Sequence, residues 1–220
     1  SKIARKIFIE ADDHVLQYLD DDGLPVEPVY YAPIIPMVLV NGCKGIGTGF
    51  STEIMCYNPM EIMAYLKAKL QNTVEQSSFE FAPYYDGFTG QTIKVDDHKY
   101  MFKGIYKKVA ADKIQVTELP VGFWTDDFKE LMESLTETTE KDGKKVVPVV
   151  KDYDDMSKDT TVDFTITLTK GKLEELEAKT YENGTNELEK VFKLFTSGSL
   201  KNMHLFDADE QLKKYDSVTQ

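Results

Sequence analysis

An α+β fold is predicted for this chain by three observations. Two segments, beginning near Asn58 and Thr125, carry apolar residues at helical spacing behind helix-start chemistry. Short runs of alternating apolar and polar residues fill 79–118 and return at 160–169. No internal repeat or low-complexity segment joins these pieces into an array.

The elements follow in order. "SKIARKIFIEADDHVLQYL" opens basic at Lys2, Arg5 and Lys6 and turns acidic; it has no capping signal, so a longer parent protein is expected. "DDDGLPVEP" is turn chemistry, with Gly23, Pro25 and Pro28 expected to stop regular structure. "VYYAPIIPMVLV" is apolar but broken by Pro33 and Pro36, which predicts an extended segment running into a buried strand, Met37 to Val40. Asn58 is a good N-cap, Pro59 suits the first helical position and Glu61 sits where a capping box wants an acid. Ile62, Met63, Leu66 and Leu70 then form the apolar stripe of that helix. "GFTGQTIKV", "HKYMFKGIYKKV" and "DKIQVTEL" predict a small antiparallel sheet. Thr125 is read as the cap of the next helix, with Asp126 and Asp127 at the positive end of its dipole. Its apolar face is Phe128, Leu131, Met132 and Leu135. "TETTEKDGKK" reads as a charged loop and "DTTVDFTITLT" as a half-buried strand with Val162, Phe164, Ile166 and Leu168 inward. "KLEELEAKT" is a third helix, and the Thr-Ser-Gly-Ser of "KLFTSGSLKN" is expected to turn between two apolar stretches.

Composition sets limits. A chain of 220 residues, 41% hydrophobic and 11% aromatic, can bury a core as one large or two small domains. No run approaches the roughly 18 apolar residues of a membrane helix, and the amino terminus lacks a signal-peptide core. Cys43 and Cys56 suit reduced intracellular thiols better than a disulfide or zinc framework. The net charge of −12 argues against a surface coated for nucleic acid. Acids are unevenly spread, however. With 38 acids in 220 residues a window of 25 should hold about four, yet Pro28 to Thr52 holds none and Lys44 is its one charge. Lys190 to Phe206 carries Lys190, Lys193, Lys201 and His204 without an acid. Either window could face a polyanion. Burial explains the first as well, and a solvated amphipathic face explains the second.

Catalytic chemistry is hard to find. "GIGTGF" misses the dinucleotide spacing, because Phe50 stands where a third glycine belongs and the next helix starts too late to aim its dipole at a pyrophosphate. No phosphate-loop Gly-Lys-Ser/Thr is present. His14, His98 and His204 lack a neighbouring nucleophile pattern, and the acids at 20–22 and 152–155 read as solvated loops rather than metal ligands. Tyr30 and Tyr31 beside the acid-poor window read as core packing rather than a base-stacking pair. Ile46 in its glycine frame has two readings, a buried tight turn or an apolar wedge. A wedge pushed between base pairs unstacks them at a cost of about a few kcal/mol per step, offset by the contacts of a bent duplex. It needs small neighbours and no nearby acid, which Gly45, Gly47 and the acid-free window supply. Lys44 could neutralise a phosphate and Thr48 could hydrogen-bond one.

At these residues the sequence resembles a known family. "VEPVYYAPIIPMVLVNGCKGIGTGFST" is similar to the segment that follows the catalytic tyrosine in eukaryotic-type DNA topoisomerase II. "ELPVGFWTDDFKE", "DTTVDF", "KVFKLFTS", "NMHLFD" and "LKKYDSV" follow in that family's order, so the resemblance covers nearly the whole chain. The bacterial gyrase branch is similar around "NG…GI" but continues differently at "GTGF". The resemblance implies that residues 1–28 end a winged-helix (catalytic tyrosine) region, and that 29–220 form a tower domain. That tower domain would include the DNA-bending loop, a small, mainly antiparallel sheet and flanking helices. It implies that Ile46 intercalates and bends the gate duplex, flanked by Lys44 and Thr48. It places the tower's DNA contacts at Lys193, Leu194, Phe195, Thr196, Ser197, Gly198, Ser199, Leu200, Lys201 and Asn202. No catalytic or metal-binding residue is expected here, since the family's arginine–tyrosine pair would lie just upstream of Ser1. The complete enzyme of this family passes one double-stranded DNA through another as a homodimer, using Mg²⁺ and ATP bound outside this stretch. Its place would be the nucleus of a cell, or the replication site of a virus. Phe50 stands where a tryptophan is common, and Phe195 and Gly198 depart from many relatives. The competing expectation, from the residues alone, is a non-enzymatic interaction module whose glycine loop docks a protein.

Overall fold

The computed structural model describes residues 2–76, 79–141 and 144–220. In chain order its elements are helix α1 (Ala4–Ile7), strands β1 (Tyr18–Asp21) and β2 (Leu24–Pro28), and helix α2 (Met37–Asn41). Strands β3 (Cys43–Gly47) and β4 (Phe50–Ile54), helix α3 (Pro59–Leu70), and strands β5 (Gln91–Asp96), β6 (Lys99–Lys103), β7 (Ile105–Ala110) and β8 (Lys113–Glu118) follow. Helix α4 (Thr125–Thr136) leads to β9 (Thr139–Lys141), β10 (Lys144–Val146), β11 (Val150–Asp155) and β12 (Phe164–Leu168). Helices α5 (Lys172–Ala178) and α6 (Glu187–Val191) precede β13 (Phe195–Ser199), β14 (Met203–Phe206) and β15 (Leu212–Tyr215). All strand pairings are antiparallel among the described residues, so the α+β class holds. No described helix is long and apolar enough to cross a membrane.

The chain divides into two compact units, Ser1–Pro83 with Asn202–Gln220, and Tyr84–Lys201. The expected boundary at residue 28 falls inside the first unit, at the end of β2. In the second unit the strands form a four-stranded sheet ordered β11-β12-β8-β7 and a three-stranded sheet ordered β13-β6-β5. The first of these carries the core. Phe164, Ile166 and Leu168 of β12 are fully buried at every second position, as their alternation predicts, and meet Ile114 and Val116 of β8. Phe128 of α4 packs edge-on against Phe164 with ring centroids 4.9 Å apart. Leu173, Leu188, Phe192 and Leu194 close the same core.

The first unit is built from two-stranded hairpins and α3. That helix starts at the predicted cap, with the Asn58 side chain accepting the Met60 amide at 2.9 Å and Pro59 at its first position, but of its expected apolar stripe Ile62 is buried while Leu70 is 85% exposed.

Several local expectations are corrected. Met37–Asn41 is a turn of helix, not a strand; a run this short satisfies either period, and Gly42 at φ +67° ends it. Residues 18–28 pair as a hairpin whose turn places Asp22 and Gly23 at φ +52° and +84°, so the prolines sit in an edge strand rather than stopping it. Thr125 is the first helical residue rather than the cap; the Asp127 carboxylate instead accepts the Trp124 amide at 3.4 Å. In the charged segment, β9 and β10 pair, while Asp142 and Gly143 lie outside the described residues. Thr196-Ser197-Gly198 lies within strand β13, not in a turn, because β6 supplies a pairing partner nearly a hundred residues away that local turn chemistry cannot foresee. Tyr30 and Tyr31 are exposed rather than packed in a core.

Candidate nucleic-acid interface

The glycine segment folds as a hairpin. Gly47 pairs with Phe50, Ile46 with Ser51, Gly45 with Thr52, Lys44 with Glu53 and Cys43 with Ile54, around a Thr48-Gly49 turn with Gly49 at φ +88°. Strand alternation sorts its side chains. Lys44, Ile46, Ser51 and Glu53 lie on one face; Gly45, Gly47, Phe50 and Thr52 lie on the other. Ile46 is 91% exposed, which removes the buried-turn reading.

The glycines are not equivalent. A Cβ on Gly42 would stand 2.8 Å from the Ile54 carbonyl oxygen and 2.9 Å from the Cys56 sulfur, so the hairpin's base requires glycine. A Cβ on Gly45 would meet nothing nearer than the Thr52 methyl at 4.0 Å, and its φ is ordinary. The fold gives no reason for Gly45 to lack a side chain.

The acid-free condition needs correction. The window in the sequence stops at Thr52, but the hairpin register brings the next residue, Glu53, across to Lys44, with Nζ to Oε1 at 3.4 Å. Lys44 is thus an exposed cation already in partnership with an acid. Thr48 is exposed at the turn.

The hairpin is fastened to β14. The Thr52 hydroxyl donates to the His204 carbonyl at 2.8 Å and accepts the His204 amide at 3.1 Å. The Glu53 amide donates to the Asn202 carbonyl at 2.9 Å, and the Asn202 side-chain amide donates to the Ser51 hydroxyl at 2.8 Å. Neither Ser51, Thr52 nor His204 stands out in the sequence as a site residue. The Thr-Gly pair, which sets the hairpin register by counting outward, could have placed Ser51 and Thr52, whereas nothing local points to His204, 152 residues from Thr52.

The predicted tower contacts fall at different depths. Lys193, Ser197 and Lys201 are exposed, and Phe195, Thr196, Ser199, Leu200 and Asn202 are half-buried. Leu194 is 1% exposed and Gly198 is buried, so these two serve packing and close strand approach rather than presenting a side chain. The Thr196 hydroxyl donates to the Val121 carbonyl at 2.8 Å. Lys193 takes φ +50°, unusual for a residue with a side chain, and holds its ammonium 5.7 Å from the Phe123 ring centre. Lys190 lies over the Tyr181 ring at 4.9 Å. Residues 193–201 belong to the second compact unit, while Ile46, Lys44, Thr48 and Asn202 belong to the first.

Among the described residues no group of three or more His, Cys, Asp or Glu could hold a metal ion, and Asp155 is instead engaged by Lys129 at 2.8 Å. Cys43 and Cys56 are free thiols, and burial pushes the Cys56 thiol up, away from the reactive thiolate.

Comparisons with known proteins give the chain a family. The family model for the A-type chain of DNA gyrase/topoisomerase IV matches residues 1–220. DNA topoisomerase 2 of Drosophila melanogaster is 41% identical over 98% of this chain and 14% of its own length. A mitochondrial DNA topoisomerase 2 of Dictyostelium discoideum is 41% identical over 98% of this chain and 15% of its own. The crystal structure of the Plasmodium falciparum topoisomerase II DNA-binding, cleavage and re-ligation domain superposes with a TM-score of 0.83 at 37% identity, covering 97% of this chain and 27% of that one. The chain therefore spans about a seventh of the full-length relatives it matches. With the whole of its length accounted for by one family model, and its similarity running to topoisomerase II members, the chain belongs to the DNA gyrase/topoisomerase IV A-type family.

Proposed function

We propose that this chain is the part of an ATP-dependent type II DNA topoisomerase that grips and bends the gate duplex for double-strand passage, relaxing or decatenating DNA. One observation carries the reading. A branched apolar side chain stands almost wholly in solvent on a fastened hairpin, next to a glycine that the fold itself does not need. An exposed isoleucine alone is unremarkable. Paired with a bare backbone beside it, it fits entry into a base stack, where a Cβ at 45 would approach sugar and phosphate. Ile46 separates the bases and kinks the duplex. Thr48 at the turn hydrogen-bonds a phosphate, and Lys44 meets one when its ion pair with Glu53 opens. Lys193, Ser197 and Lys201 give phosphate contacts along the tower, with Phe195, Thr196, Ser199, Leu200 and Asn202 beside them.

In this reading residues 1–28 close the winged-helix region and the tower follows from 29. The complete enzyme acts as a homodimer. Its Mg²⁺ and ATP are held by residues outside this chain. The compartment is the nucleus in a cell, or the replication site of a virus; relatives include a mimivirus topoisomerase 2.

Ile46→Ala in the complete enzyme tests the wedge. With a duplex carrying donor and acceptor dyes at its ends, wild-type enzyme shortens the end-to-end distance, and the variant is expected to lose most of that shortening. Thermal stability should stay within about 0.5 kcal/mol, because an exposed side chain is removed. Bending that survives the substitution rejects the wedge.

A further inference from the structure

We propose that Thr52 is a positioning residue for DNA bending: its hydroxyl clasps the hairpin to β14 and holds Ile46 at working height. The inference rests on the wedge reading above.

A two-stranded hairpin alone is marginally stable in water. Pushing a side chain between stacked bases loads it with the unstacking cost. The base of β3–β4 is pinned by Gly42, whose α-carbon faces the Ile54 carbonyl and the Cys56 sulfur with no room for a Cβ, and by buried Ile54. The upper half, where Ile46 sits, needs its own support. It comes from β4, the strand opposite the wedge. Thr52 stands in for a backbone residue, because one hydroxyl satisfies both the amide and the carbonyl of His204. The Glu53 amide and the Ser51 hydroxyl extend the seam to Asn202. Ser51 is the cross-strand partner of Ile46 and shares its face of the hairpin, so the seam reaches the wedge's own pair, while Thr52 clasps the opposite face. Force on Ile46 thus passes through Ser51 and Thr52 into β14 rather than bending the hairpin about its base. A clasp made of hydrogen bonds also has an off state. When they break, the hairpin remains paired but the wedge yields.

The test uses the complete enzyme and the same end-labelled duplex. Thr52→Val keeps shape and strand propensity but deletes the hydroxyl; Thr52→Ser keeps the hydroxyl. Loss of two hydrogen bonds should lower the ratio of bent to straight duplex about tenfold in Thr52→Val. Overall duplex affinity, set by phosphate contacts elsewhere, should change less than about threefold. Thr52→Ser should restore bending. Ser51→Ala, which leaves Thr52 in place, should give a smaller loss in the same direction and serves if Thr52→Val does not fold. A role through the wedge has one further signature: Thr52→Val added to Ile46→Ala should reduce bending no further. If Ile46→Ala abolishes bending while Thr52→Val and Ser51→Ala leave it intact, the clasp is rejected and the wedge stands. If Ile46→Ala leaves bending intact, the wedge itself fails and takes the clasp with it. A Thr52→Val defect that adds to Ile46→Ala, or that Thr52→Ser does not repair, marks a merely structural residue and overturns the proposal.

Discussion

Two glycines three positions apart, Gly42 and Gly45, separate a position where the fold requires glycine from one where it does not. Gly42 combines a left-handed φ with close approaches of 2.8 and 2.9 Å for any added Cβ, one of them to backbone. Gly42→Ala should therefore destabilise the protein by about 1–3 kcal/mol in urea or thermal unfolding. Gly45→Ala should be neutral or slightly stabilising, since its φ suits any residue and alanine narrows the unfolded ensemble. The same Gly45→Ala should weaken duplex bending. A stability loss at Gly45 equal to that at Gly42 would show that the fold, not a nucleic acid, dictates both. Leu194 makes the opposite point. It falls in the run that resemblance assigns to DNA, but it is buried against the core of the second unit. Leu194→Ala should cost about 2–5 kcal/mol of stability, as a core truncation does.

The helices and strands carry a different lesson about what a sequence discloses. Helix α6 ends at Val191, inside the basic stretch that runs from Lys190 to Phe206, and sets where that stretch begins. Its start is a closed box: the Asn186 side chain accepts the Glu189 amide at 2.8 Å, and the Glu189 carboxylate accepts the Asn186 amide at 3.0 Å. Glu189 also meets Lys103 of β6 at 2.9 Å in a nearly buried ion pair. Asn186→Ala should cost about 1–2 kcal/mol in chemical denaturation and lower the affinity for duplex, because Lys190 and Lys193 hang from this helix end. Unchanged stability would mean that the Lys103 pair holds α6 without its cap. The Asn-x-x-Glu spacing of 186–189 is a capping-box pattern in its own right, but a five-residue helix leaves little room for an apolar stripe behind it, whereas at Asn58-Pro59 the cap, the proline and an apolar repeat stand together. The alternation of β12 was legible for the same reason: a strand buried on one face must write its period into the sequence. What failed to show was long-range. The run at 195–199 becomes a strand because β6 lies beside it, and Met37–Asn41 becomes helix although its composition suits a strand. The candidate site was legible as chemistry, in Ile46 and its glycines, and illegible as geometry. Counting acids along the chain missed Glu53, which sits one residue past the window and folds back onto Lys44.

Across the whole chain the governing fact is a net charge of −12. A polyanion is repelled by most of such a surface and can be held only where acids are absent or already paired. The exposed lysines of the 190–206 stretch meet that condition, with Lys190 resting over the Tyr181 ring and Lys193 over the Phe123 ring rather than against a carboxylate. Lys44 meets it only after leaving Glu53. Binding should therefore weaken with salt, with a slope set by how many phosphates these lysines neutralise. Each phosphate neutralised contributes about −0.9 to the slope of log affinity against log salt on duplex DNA. Replacing both Lys193 and Lys201 by Gln in the complete enzyme should make that slope less negative by about 0.9 for each phosphate no longer neutralised, uniformly across duplex sequences. Fluorescence anisotropy over a salt series reads it directly. Neutralising Lys44 should change the slope less, since its departure from Glu53 offsets part of the gain. Affinity that barely responds to salt, in wild type and variants alike, would instead fit a glycine loop that docks an apolar protein surface. An unchanged slope in the double variant, with wild-type binding still salt-sensitive, would reject Lys193 and Lys201 as phosphate contacts and leave the wedge untouched.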